Sequence, residues 1–121
     1  MTADKRRFRR LEIRIPAEIA AVEAEVLPLD TTIVNLGPDG VFCEAAACLP
    51  QGTLVRVLFD MTDPPDLVDV VRVDAVGEIR WVTEQGKKKG MGVQFTRISK
   101  DEKDAIYRFI LLKLAEARGM T

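Results

Sequence analysis

Lys5, Arg6, Arg7, Arg9 and Arg10 place five cationic side chains within six residues, interrupted only by Phe8. A run of this kind calls for an anion, and it leads directly into a strand-like segment. A second element is Asn35-Leu36-Gly37-Pro38-Asp39-Gly40, which offers an amide side chain and a glycine-opened backbone between two strands. An amide can both donate to and accept from the edge of a base, and a glycine lets a backbone come close to a ligand. Together the two elements describe a site for a phosphorylated ligand that also carries a base to be read. Taken singly they say less, since a basic arm is often a solubilising or nonspecific nucleic-acid segment and such a turn is often a plain strand connection.

The elements that must position these residues are mostly strands. Leu11, Ile13, Ile15, Ala17, Ile19 and Ala21 alternate with Glu12, Arg14, Pro16 and Glu18, the period of two of a half-buried strand, with Arg10 on its polar face. A second strand over about 27–36 ends in the Asn-Leu-Gly-Pro-Asp-Gly turn, and 41–46 returns from it. Residues 54–61 set Val55, Val57 and Phe59 against Leu54, Arg56 and Leu58, which reads as a strand buried on both sides apart from one snorkelling arginine. A long β-branched run over 68–83 carries Gly77 near its middle, where a bend or bulge would let one strand serve both ends of a curled sheet. After a turn at 84–87, residues 90–95 place Met91, Val93 and Phe95 on one face. The Lys87-Lys88-Lys89 run reads as a solvated hairpin tip. Ser99 followed by Glu102 is a capping box, and Ile106, Phe109, Ile110, Leu114 and Ala117 recur at helical spacing, so a helix over 99–118 closes the chain. Lys113 interrupts that stripe, and Leu111 and Leu112 widen the apolar surface toward a possible partner chain.

Composition narrows the functional classes. A chain of 121 residues with 47% apolar content fits one domain, divided here into a basic arm (1–10), a β portion (11–97) and the helix. The formal charge is −1, and since residues 5–10 contribute +5, the rest carries −6: the positive charge is local, unlike that of a general nucleic-acid coat. The chain contains no histidine, and its single serine, Ser99, sits in the helix cap; Ser/His/Asp and Cys/His chemistry are excluded and no enzyme activity is expected. Cys43 and Cys48 are too few for a disulfide scaffold or zinc site and read as small core residues. Asp60, Asp63, Asp66 and Asp69 straddle Pro64-Pro65 without the glycine and terminal glutamate of a calcium loop, so a solvated acidic loop is expected and no metal. No apolar run could span a bilayer or serve as a secretory signal, and a cytoplasmic location is expected.

Four segments in order resemble the PilZ domain family. Arg6-Arg7-Phe8-Arg9-Arg10 matches its RxxxR motif, and Asn35-Leu36-Gly37-Pro38-Asp39-Gly40 resembles its second motif, D/N-x-S-x-x-G. Gly77-Glu78-Ile79-Arg80-Trp81-Val82 and Gly90-Met91-Gly92-Val93-Gln94-Phe95 look like its two late strands, ahead of a C-terminal helix. The resemblance covers nearly the whole chain. It implies a mainly β fold, a small antiparallel barrel of about six strands with a C-terminal helix, binding the bacterial second messenger cyclic di-GMP as ligand and holding no cofactor. A guanidinium can fork onto phosphate or guanine O6/N7 and stack on a base, which lysine cannot do. By this resemblance Arg6 and Arg10 are the main ligand arginines, Arg7 assists, Asn35 meets a guanine edge and Gly40 permits close approach of the turn. Trp81 could lie beside a base, with a core or barrel-surface role as the alternative.

One position departs from the motif: Gly37 stands where the family has serine. The missing hydroxyl removes a hydrogen bond of about 1 kcal/mol, roughly fivefold to tenfold in affinity. The implied function is a receptor whose arginine arm orders on cyclic di-GMP and which signals to a partner protein in motility, surface or development signalling. The alternative is a PilZ-like adaptor that binds a partner without nucleotide. A barrel for single-stranded nucleic acid would need exposed aromatics on a basic face, and aromatics make up only 6% of the chain, so no nucleic-acid polymer is expected as partner. Monomer and weak homodimer remain open.

Overall fold

The alternating segments do form strands, and the strands close on themselves. A computed structural model of the chain describes residues 13–24, 27–62, 70–85 and 88–117. Its elements are β1 (Ile15–Ala21), β2 (Leu29–Gly37), β3 (Gly40–Ala45), β4 (Leu54–Thr62), β5 (Val70–Gln85), β6 (Lys88–Arg97) and α1 (Lys100–Ala117). All pairings are antiparallel, and the closed order is β1-β2-β3-β6-β5-β4. Closure leaves no unpaired sheet edge, which removes the usual template for edge-to-edge association.

Inward positions build one core. Ala17, Ile19, Ile33, Val41, Cys43, Val55, Val57, Phe59, Met61, Val73, Ala75, Ile79, Met91 and Val93 fill the barrel, joined by Ala105, Ile106 and Phe109 from α1. The parity expected for β1 is the one observed, with Ala17 and Ile19 buried and Glu18 exposed. Cys43 is fully buried, whereas Cys48 is only half-buried.

Two expectations need correction. Strand β4 buries one face only: Val55, Val57, Phe59 and Met61 point inward, while Leu54 is 41% exposed and Arg56 lies in solvent. The reason is architectural, since a single-layer antiparallel barrel leaves its outer face to water and that face of β4 is organised by ion pairs. Asp60 likewise belongs to β4 rather than to a loop, and Arg72 of β5 holds it through Nε (2.8 Å) and Nη2 (3.1 Å). The neighbouring fork joins Arg56 to Asp74 at 2.7 and 2.5 Å. Asp63, Asp66 and Asp69 lie outside the described residues.

Strand β5 serves both halves of the barrel as its length suggests. It pairs with β4 from Val70 to Glu78 and with β6 from Val76 to Gln85, with a register shift at Val76/Gly77. A Cβ on Gly77 would lie 2.6 Å from the Gln94 carbonyl oxygen, so the crossing strands meet only over a glycine. Before β4, Gly52 adopts φ +92°, a conformation that L side chains rarely take.

The capping box is realised reciprocally. The Glu102 N–H donates to Ser99 Oγ and the Ser99 N–H donates to Glu102 Oε1, both at 3.1 Å. Glu102 Oε2 also accepts the Asp74 N–H at 2.8 Å, tying the helix start to β5. Helix α1 touches β2 and β5, which stand on opposite sides of the ring, and therefore lies across one mouth of the barrel. Lys113 does not break the helix; its ammonium sits 5.5 Å from the Phe109 ring centroid. Tyr107, Leu111 and Leu112 remain exposed on its outer side. No described helix is long and apolar enough to cross a membrane.

Candidate functional site

Strict alternation along β2 would put Asn35 on the same side as Ile33, inside the barrel. The register instead shifts between the two, so that Ile33 faces Cys43 but Asn35 faces Phe42. Val34 is the extra residue of a β-bulge, and the bulge reverses the parity of the residues after it. Phe42 alternates with buried Val41 and Cys43 and therefore points outward, and Asn35 opposite it does the same. An amide that could not be satisfied among the aliphatic core residues is thereby delivered to the surface. Among the described residues its carboxamide has no hydrogen-bond partner.

A second bulge repeats the device. In β5, Ile79 faces Val93 but Trp81 faces Gly92, leaving Arg80 as the extra residue. Trp81 is turned out of the core and is 51% exposed. The choice between core and barrel surface for this residue therefore falls to the surface. The registers align Asn35, Phe42, Gly92 and Trp81 in one cross-strand row over β2, β3, β6 and β5. At the usual strand spacing the row spans on the order of 14 Å.

This row borders a depression of about 470 Å³ on the outer barrel wall, lined by Asn35, Gly37, Asp39, Gly40, Trp81 and Gln94 among others. The β2–β3 hairpin borders it through Gly37, Asp39 and Gly40, with Gly37 paired to Gly40. The Phe95 N–H donates to the Asp39 carbonyl at 2.8 Å, which fixes the turn against β6. The two glycines have different roles. A Cβ on Gly40 would lie 2.3 Å from the Val93 carbonyl oxygen, so the fold itself demands glycine there. A Cβ on Gly37 would meet nothing nearer than the Gly40 oxygen at 3.9 Å.

Asp39 is the charged side chain that lines the depression among the described residues, and the ion pairs on this part of the outer wall are few. Asp39 pairs with Lys103 of α1 at 3.5 Å, Glu44 with Arg14 at 3.7 Å and Glu78 with Arg80 at 3.6 Å. These are long, solvent-exposed contacts of small energetic weight. Asn35, Gly37 and Gly40 are thus brought together at one end of the depression. Arg6, Arg7 and Arg10 lie outside the described residues. Sequence reasoning gave no role to Phe42 and Gln94; each is legible only once strand pairing is known.

The PilZ domain profile matches residues 4–112. This chain belongs to the PilZ domain family. PilZ domains are binding and adaptor modules. Among solved structures, the Bacillus subtilis inhibitor of motility, MotI/DgrA, shares the PilZ fold with a TM-score of 0.74 over 89% of this chain. Sequence identity to it is 13%, and the chain spans 50% of the length of that protein. No curated protein matches the sequence.

Proposed function

We propose that this PilZ domain is a cyclic di-GMP receptor that closes its arginine arm over the dinucleotide and presents the ligated surface to a partner protein. The observation that carries this reading is the bulge at Val34, which turns Asn35 out of the barrel and beside the turn that borders the depression. In the β1–β2 register Ile15 faces Ile33, so the chain comes into β1 next to the stretch that holds Asn35. Arg10 precedes Ile13 by three residues, a covalent tether of on the order of 10 Å. The arm's guanidinium groups would then come within reach of the depression, whose lining carries no cation among the described residues, and would supply the positive charge for two phosphates. Asn35 would read a guanine edge and Gly37 and Gly40 would let the ligand meet backbone. Signalling then follows from the changed surface, since a β-barrel with one helix offers contacts rather than chemistry.

Calorimetric titration tests this directly. Cyclic di-GMP should bind saturably to the wild type and not to Arg6→Ala or Arg10→Ala, and Gly37→Ser should tighten binding roughly fivefold to tenfold by restoring a hydroxyl. Binding that survives both arginine substitutions would refute the arm as the ligand clamp. A second reading, a nucleotide-independent adaptor, is favoured by the hydroxyl-free Gly37 and by the exposed Tyr107, Leu111 and Leu112 of α1. A folded wild type that gives no heat with the nucleotide yet captures a protein partner would select it.

A further inference from the structure

Strand β5 overhangs the closed ring. It pairs with β4 from Val70 onward but with β6 only from Val76, so the stretch before Val76 has a strand on one side alone. Two sets of hydrogen bonds show which backbone groups face the open side. Ile79 donates its N–H to the Thr53 carbonyl and accepts from the Gly52 N–H, both on the β4 side, whereas the Asp74 N–H points the other way and donates to Glu102 Oε2 at 2.8 Å. These directions alternate along a strand, and the β4–β5 register from Val70 to Glu78 is unshifted. Val70 and Arg72 therefore turn N–H and C=O to the open side, as Asp74 does. Among the described residues no side chain takes the Val70 and Arg72 amides. Native edges are usually blunted by proline, a bulge or exposed lysine. This one has none of these between Val70 and Asp74, and three of its five residues are valine. The Arg72 guanidinium is drawn toward β4 by its fork on Asp60, which leaves the edge bare, and Val70 is 56% exposed.

We infer that this edge is a self-association surface whose occupant is the same edge of a second copy. Set antiparallel about a two-fold axis at Val71, the two edges place Val70 of each copy opposite Arg72 of the other. Each such pair exchanges two N–H···O=C bonds, so the open N–H and C=O groups of Val70 and Arg72 are all used. The fit stops at Asp74, whose N–H is already given to Glu102, and that carboxylate marks the end of the docking edge. In this register no arginine faces an arginine; Val70 of one copy lies instead on the aliphatic stem of Arg72 of the other. The product is a continuous sheet in the order β4-β5-β5-β4. So short a pairing buries far less than the roughly 1,200–2,000 Å² of a stable interface, so the dimer is weak and forms only at high concentration.

Sedimentation equilibrium of the full chain tests this. The weight-average mass should rise reversibly from 13.5 kDa at about 10 µM toward twice that near about 1 mM, and hydrogen exchange at the Val70 and Arg72 amides should slow over the same range. Val70→Pro removes an N–H that β4 does not use. Circular dichroism and Tm should therefore stay near wild type while dimer affinity falls at least about tenfold, since the Val70 N–H bonds of both copies are lost. Val70→Lys leaves the backbone intact, sets an ammonium opposite Arg72 of the other copy, and should weaken the dimer more at low salt than at high salt. It decides the matter if Val70→Pro does not fold. Leu111→Glu, on the exposed side of α1, should leave the dimer unchanged. A wild type that stays monomeric at the highest concentration overturns the inference. So does a dimer that keeps its affinity in the folded Val70 variants or loses it in Leu111→Glu, which would assign association to the helix face. Nucleotide enters nowhere, so either result leaves the receptor reading where it stood.

Discussion

Gly37 and Gly40 stand at the two ends of one hairpin turn, and the structure assigns them opposite responses to the same added methyl group. A Cβ at position 40 would sit 2.3 Å from the Val93 carbonyl oxygen and 3.2 Å from Gln94 Cα. Both neighbours are backbone in a paired strand, so relief requires β3 and β6 to separate by about 1 Å where Gly40 faces Gln94. Overpacking of that kind costs about 1–3 kcal/mol, a sizeable share of the 5–15 kcal/mol typical of a domain. For a chain of this size it corresponds to a fall in Tm of roughly 3–15 °C. At position 37 the nearest atom is 3.9 Å away and φ lies outside the left-handed region, so Gly37→Ala should be neutral or raise stability by up to about 1 kcal/mol through a stiffer unfolded chain. Urea and thermal unfolding followed by circular dichroism measure both. The reasoning is refuted if Gly37→Ala is the more destabilising of the two, because β2 and β3 would then not pair with Gly37 opposite Gly40.

The ion-pair forks on the outer wall give an acid-side prediction. Hydrogen bonds from Arg72 hold the Asp60 carboxyl below its ordinary value of 3.8, and those from Arg56 do the same for Asp74. A carboxylate depressed in the folded state contributes stability above its unfolded pKa, and that contribution disappears as pH falls through the lower folded value. Arg72→Met should therefore lower Tm slightly at pH 7, and its difference from wild type should shrink as pH falls below 3.8; a difference that stays constant on acidification would assign the effect to packing of the arginine stem. The thiols should also differ. Burial pushes Cys43 up to about 11, whereas Cys48 is more accessible, so a disulfide reagent at pH 8 should modify Cys48 first and reach Cys43 only on unfolding. Equal labelling rates would indicate that the barrel opens between β2 and β3.

Periodicity carried most of the fold. The alternation from Ile13 to Ala21, the β-branched run ending beyond Gly77 and the Ser99–Glu102 box each have a local physical cause, and each appears where its cause places it. What the pattern could not carry is the outward turn of Asn35 and Trp81, because each shares sequence parity with a buried isoleucine, Ile33 and Ile79. A bulge is fixed by how many residues the partner strand sets opposite, and that count depends on segments far away in the chain. Asparagine in an apolar alternation was a visible conflict, though its resolution was not. The expectation that β4 is buried on both faces failed for a related reason: Leu54 and Leu58 look like core residues until Arg56 is found forked onto Asp74 beside them. Gly90 and Gly92 show in the sequence as an alternating pair, but the rings that fill their gaps come from β3 and β5 and are revealed only by the closed order of strands.

Helix α1 rests on β2 and on β5, the two strands whose bulges deliver Asn35 and Trp81. It forms a cross-brace between them, in contact with both bulged strands at once. If a molecule docked on the helix altered the affinity of the proposed nucleotide site, the nucleotide would alter that molecule's affinity by the same factor.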